Sequence, residues 1–309
     1  MRRRIAVSAV VLLLGLAGCT STKDPAASPS ATSPSVSVAP SPSDSPSPSP
    51  SPSPSPSASP SPKPTPSPPR PPSPKPTKTT PASGPISCTG TATLNRPRAT
   101  GTGPGGSILR TGTDAVALTF DDGPDPINTP KILDMLRQCG VKATFCLVGF
   151  RARDRPDLVR RIHEEGHTLC NHSWQHLTDL GKRGRDYMLK DLRATNSAIL
   201  KTVPDAKIAY FRAPGGNFTT EMVQVAKELG MQSIYWHVDP RDWDSSSYGK
   251  GSAMVRHIVS SVEGGVRPGS IILSHDNGKP DTITAYRTLL PWLKARFDLI
   301  GLPTDTPLP

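Results

Sequence analysis

The chain has little that would let it live in a membrane or on nucleic acid. Its N-terminal apolar run, Ile5 to Leu16, falls short of the ~20 residues that a lasting membrane-spanning helix needs. No C-x-x-C spacing is present, so the usual signature of a zinc knot is missing. The formal charge is +11, yet aromatic residues make up only 5% and no basic stripe is interleaved with them, which argues against a nucleic-acid surface. Between Ser21 and Pro85, 23 of the 38 prolines alternate with Ser, Thr and Lys. Such a segment has almost nothing to bury and cannot offset its own ordering entropy.

Five segments follow from these contrasts. Residues 1–18 read as a signal peptide: Arg2-Arg3-Arg4, a short apolar core, then Leu16-Ala17-Gly18-Cys19. That ending resembles the bacterial lipobox, which implies acylation of Cys19 and a tether to the outer face of the cell membrane. Residues 19–84 read as an extended, partly polyproline II spacer; at ~3.1 Å per residue, about 60 residues reach roughly 190 Å at most. Residues 85–107 lead in, 108–302 form one folded domain, and 303–309 are a tail. The charge divides as +6 over residues 1–78 (8 Lys/Arg, 2 Asp) and +5 over the rest (28 Lys/Arg, 23 Asp/Glu), so the folded part is only mildly basic.

From Ile108 apolar runs alternate with amphipathic ones. Strands are expected at 115–121, 141–148, 167–172, 208–213, 231–238 and 270–275, with a short seventh over 298–302. Helices are expected near 129–139, 156–165, 185–202, 219–229, 252–263 and 284–296, several closed by a glycine: Gly140, Gly166 and Gly230. Repeated strand–helix alternation means a parallel sheet covered by helices, and this length allows it to close into a barrel, complete or not. Four cysteines in an exported domain permit disulfides in three pairings. Cys146 facing Cys170 on neighbouring strands, with Cys88 tied to Cys139, is the expected one.

Polar residues fall at the C-terminal ends of these strands: Asp121 and Asp122, His172, Arg212, Asp239 and His275. In an α/β barrel that end carries the active site. Asp121 and Asp122 end an apolar run and precede Gly123-Pro124. Neighbouring side chains on an extended chain point to opposite sides, so one carboxylate is expected to hold a cation and the other to move a proton. His172 and His176 are four apart, which on a helical turn places both on one face. With Asp122 they make two imidazoles and a carboxylate, a set that leaves a dication an open position for water and lowers the pKa of that water to ~7. Asp121 is then the base. His275 is placed to protonate a leaving group, with Asp239 or Asp242 as its carboxylate partner. Arg212 can orient a carboxylate, and Pro214-Gly215-Gly216 offers backbone N–H groups to an oxyanion. His237 alternates onto the face of Asp239, while His163, His167 and His257 read as surface residues.

Thr119-Phe120-Asp121-Asp122-Gly123-Pro124, His172-Ser173-x-x-His176, Arg212-x-Pro214-x-Gly216, Asp239-x-x-Asp242-Trp243 and Leu273-Ser274-His275 resemble, in order, the five motifs of the NodB-type polysaccharide deacetylases, carbohydrate esterase family four. The resemblance implies a distorted (β/α)7 barrel and metal-dependent removal of acetyl groups from N-acetylated sugars, or O-acetyl groups in some members. It implies Asp121 as base, Asp122, His172 and His176 as ligands of one divalent ion (zinc first, cobalt or another dication next) and His275 as acid. Arg212 would steady Asp121, Asp239 would orient His275, and Trp243 would line the acetyl pocket. Gly215 stands where the family often has Tyr, so the N–H is kept and an aromatic wall is lost. The expected protein is a lipid-anchored, extracytoplasmic, monomeric enzyme on a polysaccharide, peptidoglycan or chitin-like, with no nucleic-acid partner. An O-acetyl esterase on xylan-like polymers and a non-catalytic wall-binding module are the rival readings.

Overall fold

A computed structural model describes residues 84–309 except Thr93 and Pro307. The expected signal peptide, Cys19 and the Pro/Ser-rich spacer up to residue 83 lie outside the described residues. Among those described, no helix is long and apolar enough to cross a membrane.

Seven parallel strands curl around a common interior: β1 (Val116–Asp121), β2 (Thr144–Leu147), β3 (Thr168–Asn171), β4 (Tyr210–Phe211), β5 (Gln232–Ser233), β6 (Ile271–His275) and β7 (Leu299–Ile300). Their order is β5-β4-β3-β2-β1-β6, with β7 against the lower half of β1. The gap between β5 and β6 is bridged: Val238 pairs with Ile272, and Ile108 pairs with Ile234. This is the distorted (β/α)7 barrel that the motifs imply. The helices are α1 (Thr129–Gln138), α2 (Gly149–Asp154), α3 (Pro156–Glu164), α4 (Arg185–Thr202), α5 (Thr220–Glu228), α6 (Ser245–Tyr248), α7 (Ser252–Gly265) and α8 (Pro280–Lys294). Gly140, Gly166 and Gly230 take φ of +61°, +74° and +77° just past α1, α3 and α5, the left-handed exit that glycine permits.

Strand parity decides what faces the barrel interior. Val116, Leu118 and Phe120 join the layer under the helices, with Phe145, Leu147 and Ile272. There Phe120 packs on Phe145 and Tyr286, ring centroids 5.3 and 5.0 Å apart. The opposite parity gives Ala117, Cys146, Cys170, Tyr210 and Ile271, which form an interior floor with Leu302 and, from the tail, Leu308. Two residues higher on β1, β3, β4 and β6 the same parity places Thr119, His172, Arg212 and Leu273, and one more step brings Asp121 and His275. Apolar floor and polar mouth therefore belong to the same rows.

Both expected disulfides are present, Cys146–Cys170 between paired residues of β2 and β3 and Cys88–Cys139 tying the lead-in segment to the end of α1. The tail is no loose end: Gln232 and Leu308 exchange two hydrogen bonds, at 2.8 and 2.9 Å. Strands β4 and β5 are shorter than the apolar runs suggest. From Tyr235 onward the chain leaves the β4 ladder and hydrogen-bonds instead to Ile108 and to β6. The helices α2 and α6 were not expected; each is too short for a periodic pattern to mark.

Candidate active site and metal centre

Asp122, His172 and His176 converge at the mouth of the barrel, their ligating atoms all within 4.8 Å of one another. Asp122 Oδ1 lies 3.4 Å from His172 Nε2 and 3.2 Å from His176 Nε2. The expected helical turn is absent: residues 172–176 form a loop in which Ser173 and His176 take φ of +63° and +57°. Asn171 Oδ1 accepts from Ser173 N at 2.9 Å and Ser173 Oγ accepts from His176 N at 3.0 Å. Side chains therefore build the turn that a helix would have supplied.

Asp122 departs from the strand too, with φ of +74°, a conformation that costs an aspartate about 1–2 kcal/mol. Its carbonyl accepts from Arg151 at 2.7 Å, and the next carbonyl, of Gly123, accepts from Val148 N at 3.0 Å. Gly123 precedes a cis proline and backs onto the buried carboxyl of Asp276: a Cβ there would lie 2.6 Å from Asp276 Oδ1. Burial pushes the Asp276 carboxyl up to about 7. The turn corrects the opposite-sides expectation for the two carboxylates. Asp121 Oδ2 is 3.6 Å from His172 Nε2, so both acids reach the same imidazole. What separates them is their partners.

Asp121 is gripped from inside the barrel. Arg212, wholly buried, donates through one nitrogen to Asp121 Oδ1 at 2.8 Å and Thr119 Oγ1 at 2.7 Å. Its other terminal nitrogen donates to Tyr235 O at 2.9 Å. The Arg212 carbonyl takes a hydrogen bond from His172 Nδ1 at 2.8 Å. A carbonyl only accepts, so neutral His172 presents its Nε2 lone pair to Asp122 and Asp121, the tautomer a metal ligand needs.

The donor set fits a divalent cation. Asp122 Oδ1 is buried without a hydrogen-bond donor. Burial works against charge on His172, yet Asp121 and Asp122 raise its pKa. Burial likewise opposes charge on Asp122, while His172, His275 and His176 hold its carboxyl well below the usual range. The pocket attracts positive charge to the point where the three ligands meet, and His176 is partly open to solvent.

His275 stands beside Asp121 in register on β6. Its carboxylate partner is Asp242, not Asp239, which corrects the expectation drawn from the motif. Asp242 Oδ1 meets His275 Nδ1 at 2.6 Å, and its Oδ2 accepts from His275 N at 2.8 Å. Arg241 at φ +51° turns the chain so that Asp242 points back into the barrel, while Asp239 Oδ1 accepts from Arg241 N at 2.7 Å. Burial opposes the charge on His275, but Asp242 raises its pKa to about 9.

The remaining candidates spread around the mouth. Trp243 is exposed on the rim under the Arg241 guanidinium, 4.7 Å from its ring centroid. Gly215 and Gly216 take φ of +62° and +69°. The Gly216 N–H is spent on Ala213 O, whereas Gly215 N–H makes no backbone bond among the described residues. His237 turns to Ser270 Oγ at 3.0 Å and does not join Asp239. His167, expected at the surface, is buried: its Nδ1 accepts from Ala143 N at 3.1 Å, its ring packs against Phe145, and burial lowers its pKa to about 4.

The sequence and the fold have relatives. The family model described as "Polysaccharide deacetylase" matches residues 109–234. A chitooligosaccharide deacetylase of Sinorhizobium fredii is 38% identical over 208 residues, 63% of this chain and 93% of that protein. The chain belongs to the polysaccharide deacetylase family. A second polysaccharide deacetylase, a peptidoglycan-N-acetylglucosamine deacetylase of Bacillus cereus, is 38% identical over 184 residues, 58% of this chain and 81% of its own. The crystal structure of the Bc1960 peptidoglycan N-acetylglucosamine deacetylase superposes with a TM-score of 0.58 at 33% identity, covering 65% of this chain and 94% of that one. For this polysaccharide deacetylase, then, the barrel and the hydrolase class are those of its family. Neither Asp242 as the partner of His275 nor Arg151 behind Asp122 was singled out by spacing, although Asp242 stood beside Asp239 as an alternative.

Proposed function

We propose that the chain hydrolyses the N-acetyl groups of an amino-sugar polymer, peptidoglycan or a chitin-like chain, from an extracytoplasmic position as a lipid-anchored monomer. One observation carries the chemistry: a cation-fitting trio, an arginine-held carboxylate and a carboxylate-held imidazole share one barrel mouth. Asp122, His172 and His176 would hold a divalent cation, zinc first, which when bound would supply Lewis acidity.

Asp121 takes a proton from the attacking water. Arg212 fixes the direction of that carboxylate by holding Oδ1 and leaves Oδ2 turned to the pocket. Gly215 N–H is available to the carbonyl oxygen as negative charge builds on it. His275, protonated at neutral pH, gives its proton to the amine nitrogen as the C–N bond breaks. Water and amide become acetate and free amine. Trp243 on the rim offers a face for a sugar ring. The lipid tether and its outer-face location rest on Leu16-Ala17-Gly18-Cys19.

The test is acetate release from N-acetylglucosamine oligomers, peptidoglycan fragments and acetylated xylan, with and without chelator. Chelator-sensitive acetate from the amino-sugar polymers is the expected result. Release from xylan alone would reassign the chain to O-acetyl esters, and release untouched by chelation would refute the cation's part.

A further inference from the structure

Thr282, the third residue of α8, does not bond back to its own helix. Thr284 Oγ1 donates back to Pro280 O at 2.9 Å and Thr195 Oγ1 to Asp191 O at 3.1 Å, the local bond that helical threonines favour. Thr282 is wholly buried and donates across to Asp242 Oδ2 at 2.8 Å instead. Asp242 thus receives three donors. Thr282 Oγ1 and His275 N share Oδ2, and His275 Nδ1 has Oδ1 to itself. A carboxylate held twice through one oxygen cannot rotate, so Oδ1 stays turned to the imidazole. The helix that carries Thr282 is itself anchored: Ile283, Ala285, Tyr286, Leu289 and Leu290 are buried. Tyr286 Oη lies 2.9 Å from Ser274 Oγ, one residue before His275.

We propose that Thr282 is a positioning residue for the acid step: through Asp242 it holds His275 so that Nε2 faces the departing nitrogen. This rests on the deacetylase reading above. In that step the C–N electron pair goes to nitrogen, His275 Nε2–H breaks, a new N–H forms, and His275 is left neutral. An amine leaves poorly unless it is protonated, whereas a phenolate leaves unaided. Misplacing the acid therefore penalises an acetamide and spares an aryl acetate. A general loss of structure penalises both.

The experiment uses the full chain, its Thr282→Val, Thr282→Ser and Asp242→Asn variants, and the Thr282→Val/Asp242→Asn pair. Each is assayed on an N-acetylglucosamine oligomer and on 4-nitrophenyl acetate. General acids contribute about 100-fold or more, so Thr282→Val is expected to lower kcat on the oligomer about 10-fold with KM within about twofold. Rates on the aryl ester should change by less than about twofold by the same reasoning. Thr282→Ser should restore the oligomer rate, and Thr282→Val should cost nothing further once Asp242 is Asn. Equal losses on both substrates, no loss on the oligomer, or additive losses in the double variant would each overturn the inference. If valine abolishes the melting transition, Thr282→Ala replaces it with the same expectations. If the unaltered chain releases acetate from neither compound, the failure lies with the proposed function.

Discussion

Replacing Asp242 by Asn removes a charge and keeps the shape, so its consequences can be worked out in advance. His275 ionises at about 9 in spite of burial, chiefly because of the Asp242 carboxylate 2.6 Å from its Nδ1. An ordinary imidazole ionises near ~6.5. The difference, about 2.5 at about 1.4 kcal/mol for each pH unit, favours the protonated acid by about 3–4 kcal/mol net of the cost of burial. Without the carboxylate, burial remains and the pKa falls to the ordinary value or below it. At pH 8 the protonated fraction then drops about 30-fold. Acetate release measured from pH 6 to 10 should show kcat falling only above about 9 in the unaltered chain. In Asp242→Asn the alkaline limb should begin about two units lower. Stability follows the same linkage. A pKa raised on folding adds stability that is complete below the unfolded value of ~6.5 and is lost as pH climbs through the folded one. The melting temperature of the unaltered chain should therefore decline between about 6.5 and about 9, and that decline should become smaller in Asp242→Asn, where the raised His172 still contributes to it. A limb that stays in place, or one that moves in Asp239→Asn and not in Asp242→Asn, would refute the dyad.

Other consequences are simpler. Asp121→Asn should lower kcat by about 100-fold or more while the dialysed protein keeps its metal; loss of metal would show that the two carboxylates have exchanged roles. Asp122→Ala should strip the metal and the activity together, as read by metal analysis after dialysis. Gly216→Ala forces a left-handed alanine whose Cβ would lie 2.6 Å from the Trp236 ring and 2.7 Å from that of Tyr235, and should cost about 1–3 kcal/mol in a chemical melt. Thiol labelling of the denatured chain should find Cys88, Cys139, Cys146 and Cys170 protected until reductant is added. Opening the Cys146–Cys170 link, 24 residues apart in sequence, should cost about 3–4 kcal/mol.

Much of this architecture is written locally. Val116–Asp121 is buried on both faces and reads as a continuous apolar run, as central parallel strands do. The glycines after α1, α3 and α5 mark their ends without reference to anything distant. The metal trio is legible because residue types and strand ends suffice to nominate it. The path by which it forms was not legible. Asp122 and His176 reach the pocket through left-handed backbone that other side chains hold in place, and spacing carries no trace of that. The choice between Asp239 and Asp242 depends on one φ angle at Arg241. His167 reads as a surface residue because it stands at a strand start; Ala143 N and the Phe145 ring, from β2 and the residue before it, pack on the buried ring. Thr282 lies 40 residues from Asp242 in sequence, beyond the reach of any local pattern.

The wedge made by β7 has a bearing on how the protein is born. Val116 and Ala117 pair with Leu299 and Ile300, and Asp121 pairs with His275. The earliest strand is thus clasped by the two latest, and contacts so remote in sequence form slowly and late. Without the final stretch the floor lacks Ile271, Leu302 and Leu308, and the mouth lacks His275. The first strand of the barrel thus gains its second flank only when β6 and β7 are in place.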